Sequence, residues 1–300
     1  MNRHLTANTR TPFIALVLAM FIWASSFIAL KISFDVMHPA QVLFFRMLSA
    51  SVCFLLLIRW MRPIQYQKGD WKFFVPMVVM EPCLYFIFES IALQNTTASQ
   101  AGVVTSLLPL LTAVGAVLAL KERMNPIMWI GFLMAMVGAV LLSLTSDSTE
   151  SAPNPILGNF FEFLAMVCAA GYTLIVKHLI TRYSALFLTA LQSWTGALFF
   201  LGPALYFPMP DEIGVVAIGS ILYLGVFVSI GAYGLYNYAM AYVPATQASA
   251  FINLIPVFTV MIAFVVLDER LNLYQLMACG LVVLGLVINH KAESKAKSSN

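Results

Sequence analysis

Two acidic residues stand out because they lie inside a long apolar stretch. Glu81 and Glu89 are eight residues apart, which is about 80° around a straight helix, and Pro82 between them can bend that helix. Ionisable side chains at membrane depth are costly and point to function by default. Both glutamates can therefore face one cavity, where a carboxyl would bind an amine or carry a proton. A hydrogen-bonded structural role between helices is the alternative.

A second group of polar side chains interrupts other apolar runs. Arg46 and Glu162 each lie about two turns inside a run. Arg46 could hold a substrate anion or pair with a carboxylate, and it could equally form a structural ion pair or contact lipid headgroups. Glu162 could face the cavity as a charge partner or snorkel to the headgroups. The amides of Asn237 and Asn253 need a partner at that depth, which is either a neighbouring helix or a substrate.

Aromatic residues accompany these polar groups. Aromatic walls suit an organic substrate and attract cations to the ring face, although most aromatic side chains in membrane proteins pack or sit at interfaces. The aromatic candidates for substrate contact are Trp23, Tyr85, Tyr172, Trp194, Tyr233 and Tyr236.

The elements that must position these residues are membrane-spanning helices. The chain has 300 residues, of which 61% are hydrophobic and 10% charged, with a mean hydropathy of +0.89. About a quarter of the residues of a soluble domain are charged, so a soluble globule is excluded. Because a span takes about 20 apolar residues, hydropathy predicts ten of them, at about 12–31, 40–60, 73–93, 98–120, 126–144, 156–177, 184–207, 213–239, 245–267 and 272–290.

Several function classes lack their sequence motifs. The four cysteines form no CxxC pair and the four histidines have no metal-ligand spacing. There is no Walker loop and no GxSxG, which argues against an ATP-driven pump or a hydrolase. A net charge of +3 is too small to suggest nucleic acid. We therefore expect no enzyme, no metal and no cofactor, apart from possible proton coupling.

Basic residues predict the orientation. With the N-terminus in the cytoplasm, nearly all Lys and Arg outside the spans fall inside, and only Lys31 and Arg270 fall outside. We therefore expect both termini in the cytoplasm of a bacterial-type inner membrane, with a disordered polar tail at 291–300.

An internal repeat organises the chain. Without a gap, 92–142 aligns with 239–289, so that Gln100 falls on Gln247, Pro109 on Pro256, Glu122-Arg123 on Glu269-Arg270 and Gly138 on Gly285. A change of offset by one residue aligns the first spans, where Met20 meets Met166 and Lys31 meets Lys177. Each half thus has five spans. Because five is odd, the halves cross the membrane in opposite senses, as in secondary transporters.

The repeat also suggests roles for individual residues. Pro109 and Pro256 lie in the middle of symmetric spans and are candidate hinges, with a static kink as the alternative. Gln100 and Gln247 begin spans and favour a structural role. Gly131, Ala135 and Ala139 recur every four residues, which permits close helix packing within the molecule rather than a dimer face. The Glu-Arg pairs are expected to cap helix ends or to pair locally.

A family resemblance follows from these motifs. Trp23-Ala24-Ser25-Ser26-Phe27 with Lys31 resembles the first-helix motif of the drug/metabolite transporter (DMT) superfamily, EamA type. Phe45-Arg46-Met47, the A-L-x(4)-A-S-Q-A run before Pro109, and K-E-R and D-E-R after the fourth and ninth spans are similar to it too. The resemblance implies a 5+5 inverted repeat around a cavity lined by helices 1–4 and 6–9, with helices 5 and 10 at the periphery. It also implies transport of amino acids, other metabolites or drugs, often outward.

The sequence therefore predicts an all-α integral membrane protein of ten transmembrane helices. Its parts are a cytoplasmic segment at 1–11, one five-helix EamA-like repeat at 12–145, a second at 155–290, and the tail. The predicted function is secondary-active transport by alternating access, with export of a small organic, amino-bearing metabolite or drug. A passive facilitator or exchanger of the same fold, and a membrane lipid-handling protein, are the alternatives. Expected partners are the substrate and the lipid bilayer, with no nucleic acid, in a monomer or homodimer.

Overall fold

The structure, a computed structural model, describes residues 11–61, 66–120, 126–243, 248 and 251–298, and these are almost entirely helical. Within this part of the chain there is no strand beyond an isolated bridge between Thr149 and Ala152. The first-half helices are α1 (Thr11–Phe34), α2 (Pro39–Leu56), α3 (Trp71–Val78), α4 (Tyr85–Asn95), α5 (Ala98–Thr105), α6 (Leu108–Leu120) and α7 (Pro126–Leu144). The second-half helices are α8 (Pro155–Leu179), α9 (Ala185–Tyr206), α10 (Val215–Tyr223), α11 (Tyr233–Tyr242), α12 (Leu254–Val266) and α13 (Leu273–Ser298).

Seven helical stretches in the described residues are long and apolar enough to cross a membrane, and three shorter apolar helices accompany them. Their starts follow local sequence rules. The side chains of Thr97, Asn154 and Ser184 each accept a bond from a backbone N–H in the first turn of α5, α8 and α9. Pro39 and Pro155 occupy first-turn positions, where no donor is needed. The chain is a multi-pass membrane protein in which short capped turns join apolar helices.

Two wide π-helical segments interrupt long helices at repeat-related places. Val79–Leu84 joins α3 to α4, and Leu224–Ala232 joins α10 to α11. In the first of them Glu81 has a non-helical backbone (φ −147°, ψ 118°), and the Glu81–Pro82 peptide bond is cis. The bend suggested by Pro82 is therefore present, and the straight-helix geometry used to place Glu81 beside Glu89 does not apply.

Two further breaks precede the candidate hinge prolines. The α5 helix ends at Thr105 and α6 begins at Leu108, while a 3₁₀ turn at Phe251–Asn253 leads into α12. Pro109 and Pro256 thus lie in the first turn after a break, where a missing donor costs nothing. Side-chain hydroxyls bind carbonyls freed at the first break, with Thr105 Oγ1 2.6 Å from Gly102 O and Ser106 Oγ 2.6 Å from Val103 O.

Helix packing exchanges corresponding elements of the two halves. The first helix of each half packs against helices of the other half. Helix α1 of the first half packs on α11 and α12 of the second, and α8 of the second half packs on α4 and α6 of the first. Three further pairs, α2 with α9, α5 with α12 and α7 with α13, join a span of the first half to its own counterpart in the second.

The contact between α7 and α13 shows the symmetry of the repeat in atomic detail. A Cβ at Gly138 would lie 2.8 Å from Val282 N and 3.0 Å from Ala278 O, and a Cβ at Gly285 would lie 2.7 Å from Ala135 N and 2.5 Å from Gly131 O. The partners of Gly285 are the repeat counterparts of the partners of Gly138. The Gly131–Ala135–Ala139 stripe therefore packs inside the molecule, as expected.

Some expectations change and others lie outside the described residues. The last helix continues to Ser298, so the tail that we expected to be disordered is helical to that residue. The Glu269 carboxylate accepts bonds from Ala98 N (2.9 Å) and Ser99 N (2.8 Å), and Arg270 pairs with Asp268, which confirms the capping and local-pairing prediction. Residues 1–10, Glu122-Arg123 and Gln247 are not among the described residues.

Candidate functional site

A small central cavity of about 50 Å³ lies between the two halves. Among the described residues, its wall comes from α1, α2, the first π segment, α4, α5, α6, α8, α11, the 3₁₀ turn and α12. Neither α7 nor α13 contributes, in line with a peripheral role for these helices. No wall residue in the described chain belongs to α9, which differs from the expectation that the seventh span lines the cavity.

Most of the wall consists of repeat-related pairs. Under the two sequence offsets these pairs are Trp23 with Ala169, Ser26 with Tyr172, Phe27 with Thr173, Phe86 with Tyr233, Glu89 with Tyr236, Thr105 with Ile252, and Leu108 with Ile255. The two halves therefore contribute equivalent sequence positions to most of the cavity wall. Its charged residues break this symmetry, because Arg46, Glu81 and Glu89 all come from the first half.

Two tyrosines hold the two cavity carboxyls. The Tyr233 hydroxyl from α11 donates to Glu81 Oε1, which joins the halves across the cavity. The Tyr85 hydroxyl donates to Glu89 Oε1 at 2.8 Å, one turn away on the same helix. Both glutamates are buried, and neither is in an ion pair within 4 Å among the described residues. Each carboxyl thus relies on a phenol donor, an arrangement that a cationic substrate group could supplement or replace.

Arg46 supplies the positive charge of the cavity. Its side chain is 1% exposed, its Nε donates to Ser229 Oγ at 3.1 Å, and its guanidinium lies 4.3 Å from the centre of the Phe86 ring. The Nη1 atom is buried without a hydrogen-bond partner. Arg46 lies within electrostatic range of both Glu81 and Glu89. It is therefore neither a lipid-facing residue nor part of a closed ion pair, and it balances one of two nearby carboxylates.

Aromatic side chains form the other wall. The Trp23 ring contacts Tyr233 and Tyr236, each at a centroid distance of 5.0 Å, and its indole Nε1 is buried without a partner. Tyr172 donates to Gln192 Oε1 at 3.0 Å. Trp23, Tyr85, Tyr172, Tyr233 and Tyr236 therefore line the cavity together with Glu81, Glu89 and Arg46, as the sequence suggested.

Glu162 lies beside this site without lining it. The residue is fully buried on α8, so it does not snorkel to the headgroups. Among the described residues, neither of its carboxyl oxygens has a hydrogen-bond partner. It is close enough to Glu89 for their charges to interact.

Three expected cavity residues lie elsewhere. Trp194 packs near Ala50 and Phe54 in a separate cluster. Asn237 is buried behind the wall and bonds to Thr189 Oγ1 at 3.0 Å. Asn253 borders an outer apolar groove beside Ser106 and Pro256. Helix orientation decides these placements, and residue type in a span does not reveal it.

The sequence analysis missed two residues that contact Arg46. Phe86 faces the Arg46 guanidinium, and its position three residues before Glu89 puts it on the same helix face. Ser229 orients Arg46 from the second π segment. A helical-wheel comparison with Glu89 would have found Phe86, whereas nothing in the sequence marks Ser229.

Polar contacts between the halves flank the cavity towards both ends of the molecule. At one end Asp70 accepts bonds from Arg182 Nη1 (2.9 Å) and Tyr183 Oη (2.5 Å). At the other end Glu269 caps α5, and Lys31 Nζ donates to Ser151 O at 2.6 Å. Hydrogen bonds and an ion pair thus join the two halves on both sides of the carboxyl site.

Comparison with known proteins identifies the family. The EamA-like transporter family matches the chain twice, at residues 10–144 and 156–290. The chain belongs to the EamA-like transporter family, within the drug/metabolite transporter superfamily. Its family and its named relatives both identify the protein as a membrane transporter.

The relatives cover nearly the whole chain. An uncharacterized transporter of Archaeoglobus fulgidus is 25% identical over 94% of this chain and 97% of its own length. An uncharacterized transporter of Bacillus subtilis is 27% identical over 97% of this chain and 96% of its own length. A solved crystal structure that is 19% identical matches with a TM-score of 0.66 over 94% of this chain and 96% of its own, which supports the fold alone.

Proposed function

We propose that this EamA-family protein is a secondary-active transporter that exports a small organic metabolite or drug bearing an amino group. Its ten transmembrane helices form a 5+5 inverted repeat in an inner membrane, with both termini in the cytoplasm. Alternating access exposes the central cavity to each side in turn. The positive-inside distribution of Lys and Arg supports the orientation, and the exchanged helix pairings support the inverted repeat.

The cavity chemistry carries the substrate class. Glu81 and Glu89 place two carboxyls in an otherwise aromatic and apolar wall, and Arg46 balances only one of them. An ammonium group would complete the charge balance and would face Trp23 and the tyrosines. The unpartnered Arg46 Nη1 and Trp23 Nε1 offer donors to an acceptor group on the same substrate. An amino-bearing, amphipathic compound satisfies these groups together.

The size of the cavity supports a conformational mechanism. Its volume of about 50 Å³ is well below the roughly 300–1,000 Å³ of pockets that hold a drug-sized ligand. An organic substrate therefore enters only after the helices around the cavity move apart. The symmetric π segments and helix breaks next to the cavity provide places where such movement can occur.

A ligand screen followed by flux measurement tests this proposal. Purified full-length protein is screened by thermal shift against amines, amino acids, organic cations and organic acids, because a bound ligand stabilises the folded state. Hits are then assayed in proteoliposomes with and without an imposed proton gradient. We expect amino-bearing hits and uphill movement with the gradient. Movement that only follows the substrate gradient would indicate a passive facilitator, and stabilisation by organic acids alone would overturn the substrate class.

A further inference from the structure

Glu162 is a buried acid that substrate binding leaves unexplained. It lies on α8, its side chain is 0% exposed, and both carboxyl oxygens lack a hydrogen-bond partner. The nearest polar side chain along its own helix, Asn159, has no free N–H to donate to Glu162. Asn159 Nδ2 donates to Gln100 Oε1 and Ser143 Oγ, each at 3.0 Å, and its Oδ1 accepts from Thr96 at 2.8 Å.

The helices packed around Glu162 provide no counter-charge. No ionisable side chain occurs in α5, α6 or α7. On α4 the ring of Phe88 lies 5.9 Å from that of Phe161 on α8, which places their chain neighbours Glu89 and Glu162 at the same level of the two packed helices. The charges of Glu89 and Tyr85 interact with that of Glu162. Glu81 on the π segment and Arg46 on α2 line the cavity, as do Tyr233 and Tyr236 on α11, whereas Glu162 does not. Lys72 on α3 is exposed. Among the described residues, the charge that acts on Glu162 is therefore that of another acid.

The two acids are supported unequally. Glu89 accepts the Tyr85 hydroxyl at 2.8 Å and feels the positive charge of Arg46, and both interactions favour its ionised form. Glu162 has neither a donor nor a cation, and a charge on Glu89 disfavours a second charge beside it. A buried, unpaired carboxylate is costly, whereas a neutral carboxylic acid at that place is tolerable.

We propose that Glu89 and Glu162 share one exchangeable proton, which rests on Glu162 while Glu89 is ionised, and that this pair couples transport to proton movement. In the exchange the Glu162 O–H bond breaks and an O–H bond forms on Glu89, so the negative charge passes from Glu89 to Glu162. The pair then carries one proton and one negative charge in either state. Glu81 with Tyr233 remains the substrate-facing carboxyl.

The coupling role depends on the proposed transport function, while the shared proton does not. A substrate ammonium beside Glu81 and Glu89 stabilises the ionised form of Glu89. When the substrate leaves, Glu89 loses the stabilising ammonium and takes up a proton from the cavity, which it lines. The next ammonium displaces one proton from the pair back into the cavity. Glu162 is thus a proton-positioning residue that acts through Glu89.

Infrared spectroscopy tests the shared proton without any substrate. Full-length protein in lipid nanodiscs is titrated with acid and base while the C=O stretch of protonated carboxylic acids is recorded. We compare the wild type with Glu162→Gln, Glu89→Gln and, as a matched carboxyl-to-amide control in the exposed 146–154 loop, Glu150→Gln. We expect Glu162→Gln to remove a band present at neutral pH. Glu89→Gln should retain that band but move its titration midpoint to lower pH, and Glu150→Gln should match the wild type.

Each outcome decides one question. A wild-type band that survives Glu162→Gln at full intensity would overturn the proposal, as would a midpoint unchanged by Glu89→Gln. Should Glu162→Gln fail to fold, the Glu89→Gln midpoint still tests the pair. A band that behaves as expected in a protein that moves none of the screened amines would overturn the transport proposal and the coupling role, and would leave the shared proton standing. Proton-driven flux that Glu162→Gln leaves intact would overturn only the coupling role.

Discussion

At the scale of single residues, the acidic side chains in and beside the site differ in their hydrogen-bond partners. Glu81, Glu89 and Glu162 are all buried acids, yet the first two accept tyrosine hydroxyls and the third accepts nothing. Arg46 is held by Ser229 and by the Phe86 ring, with one nitrogen left free. Residue type marked all four as candidates, and their hydrogen-bond partners are the basis for the different roles that we propose for them.

Neutralising the cavity carboxyls should weaken ligand binding. Glu81→Gln or Glu89→Gln keeps the shape but removes a charge, and the loss of one charged hydrogen bond costs about 1–3 kcal/mol, or roughly 5- to 150-fold in Kd. Isothermal titration with an amine found in the screen measures the effect, and Glu150→Gln is the control. If a carboxyl instead carries the coupling proton, the amide variant should exchange substrate but fail to accumulate it. Normal affinity, normal uphill flux and an unaltered pH profile in both variants would reduce these glutamates to structural residues.

At the scale of elements, the irregular segments are as symmetric as the regular ones. The π segments at Val79–Leu84 and Leu224–Ala232 correspond, as do the break before Pro109 and the 3₁₀ turn before Pro256. The first π segment, the two residues that flank the α5–α6 break and the 3₁₀ turn contribute to the cavity wall, and the second π segment leads into α11, which does so too. By contrast, α7 and α13 are unbroken and pack tightly against each other, as expected of a supporting pair at the periphery.

A methyl group at the α7–α13 contact should destabilise the fold. Gly285→Ala places a Cβ 2.5 Å from Gly131 O, and overpacking of this kind costs about 1–3 kcal/mol. Gly280→Ala on the same helix meets no atom within 4 Å, so it should be neutral or slightly stabilising. Thermal unfolding of the purified variants measures the difference. Equal Tm values for Gly285→Ala and Gly280→Ala would contradict the tight contact.

The prolines after the helix breaks should affect movement rather than folding. Pro109→Ala and Pro256→Ala allow a helix to continue across the break, so we expect folded protein with slower flux, and the slowest flux in the double variant. Pro203→Ala in α9 is a matched control, because the first half has Leu56 at the related position. Unchanged flux in both single variants and in the double would make the two prolines static kinks.

At the scale of the whole molecule, two similar halves build a site that is not symmetric in charge. Paired positions form most of the cavity wall, while Arg46, Glu81 and Glu89 come from the first half. Polar contacts join the two halves on both sides of the cavity. One is the ion pair of Asp70 with Arg182, and the other is the capping of α5 by Glu269. The alternating access that we propose would require these two sets of contacts to open one at a time.

Membrane orientation has a direct test. The native cysteines are replaced by serine, and single cysteines are placed at Ser148 and Lys68, which are exposed in loops at opposite ends of the molecule. In intact cells a membrane-impermeant maleimide should label position 148, and it should label position 68 only after permeabilisation. The reverse pattern would overturn the positive-inside assignment.

The sequence alone determined the class, the repeat and most of the cavity residues. Composition required a membrane protein, and the gapless match of 92–142 with 239–289 revealed two related halves. Acidic and aromatic residues inside apolar runs marked Glu81, Glu89, Trp23 and Tyr233, because membrane burial makes such groups exceptional. These inferences rest on residue type and spacing along the chain, which need no tertiary contact.

Only the tertiary structure decided which faces of the helices meet. Trp194, Asn237 and Asn253 satisfied the same criteria of residue type, yet they pack away from the cavity. Ser229 and the unpartnered state of Glu162 became visible only when helices distant in sequence were brought together. The physical reason is that an almost uniformly apolar helix carries little periodic signal about its inward face. Its orientation is set by close contacts such as Gly285 on Gly131 and by helix breaks whose bends depend on neighbouring helices.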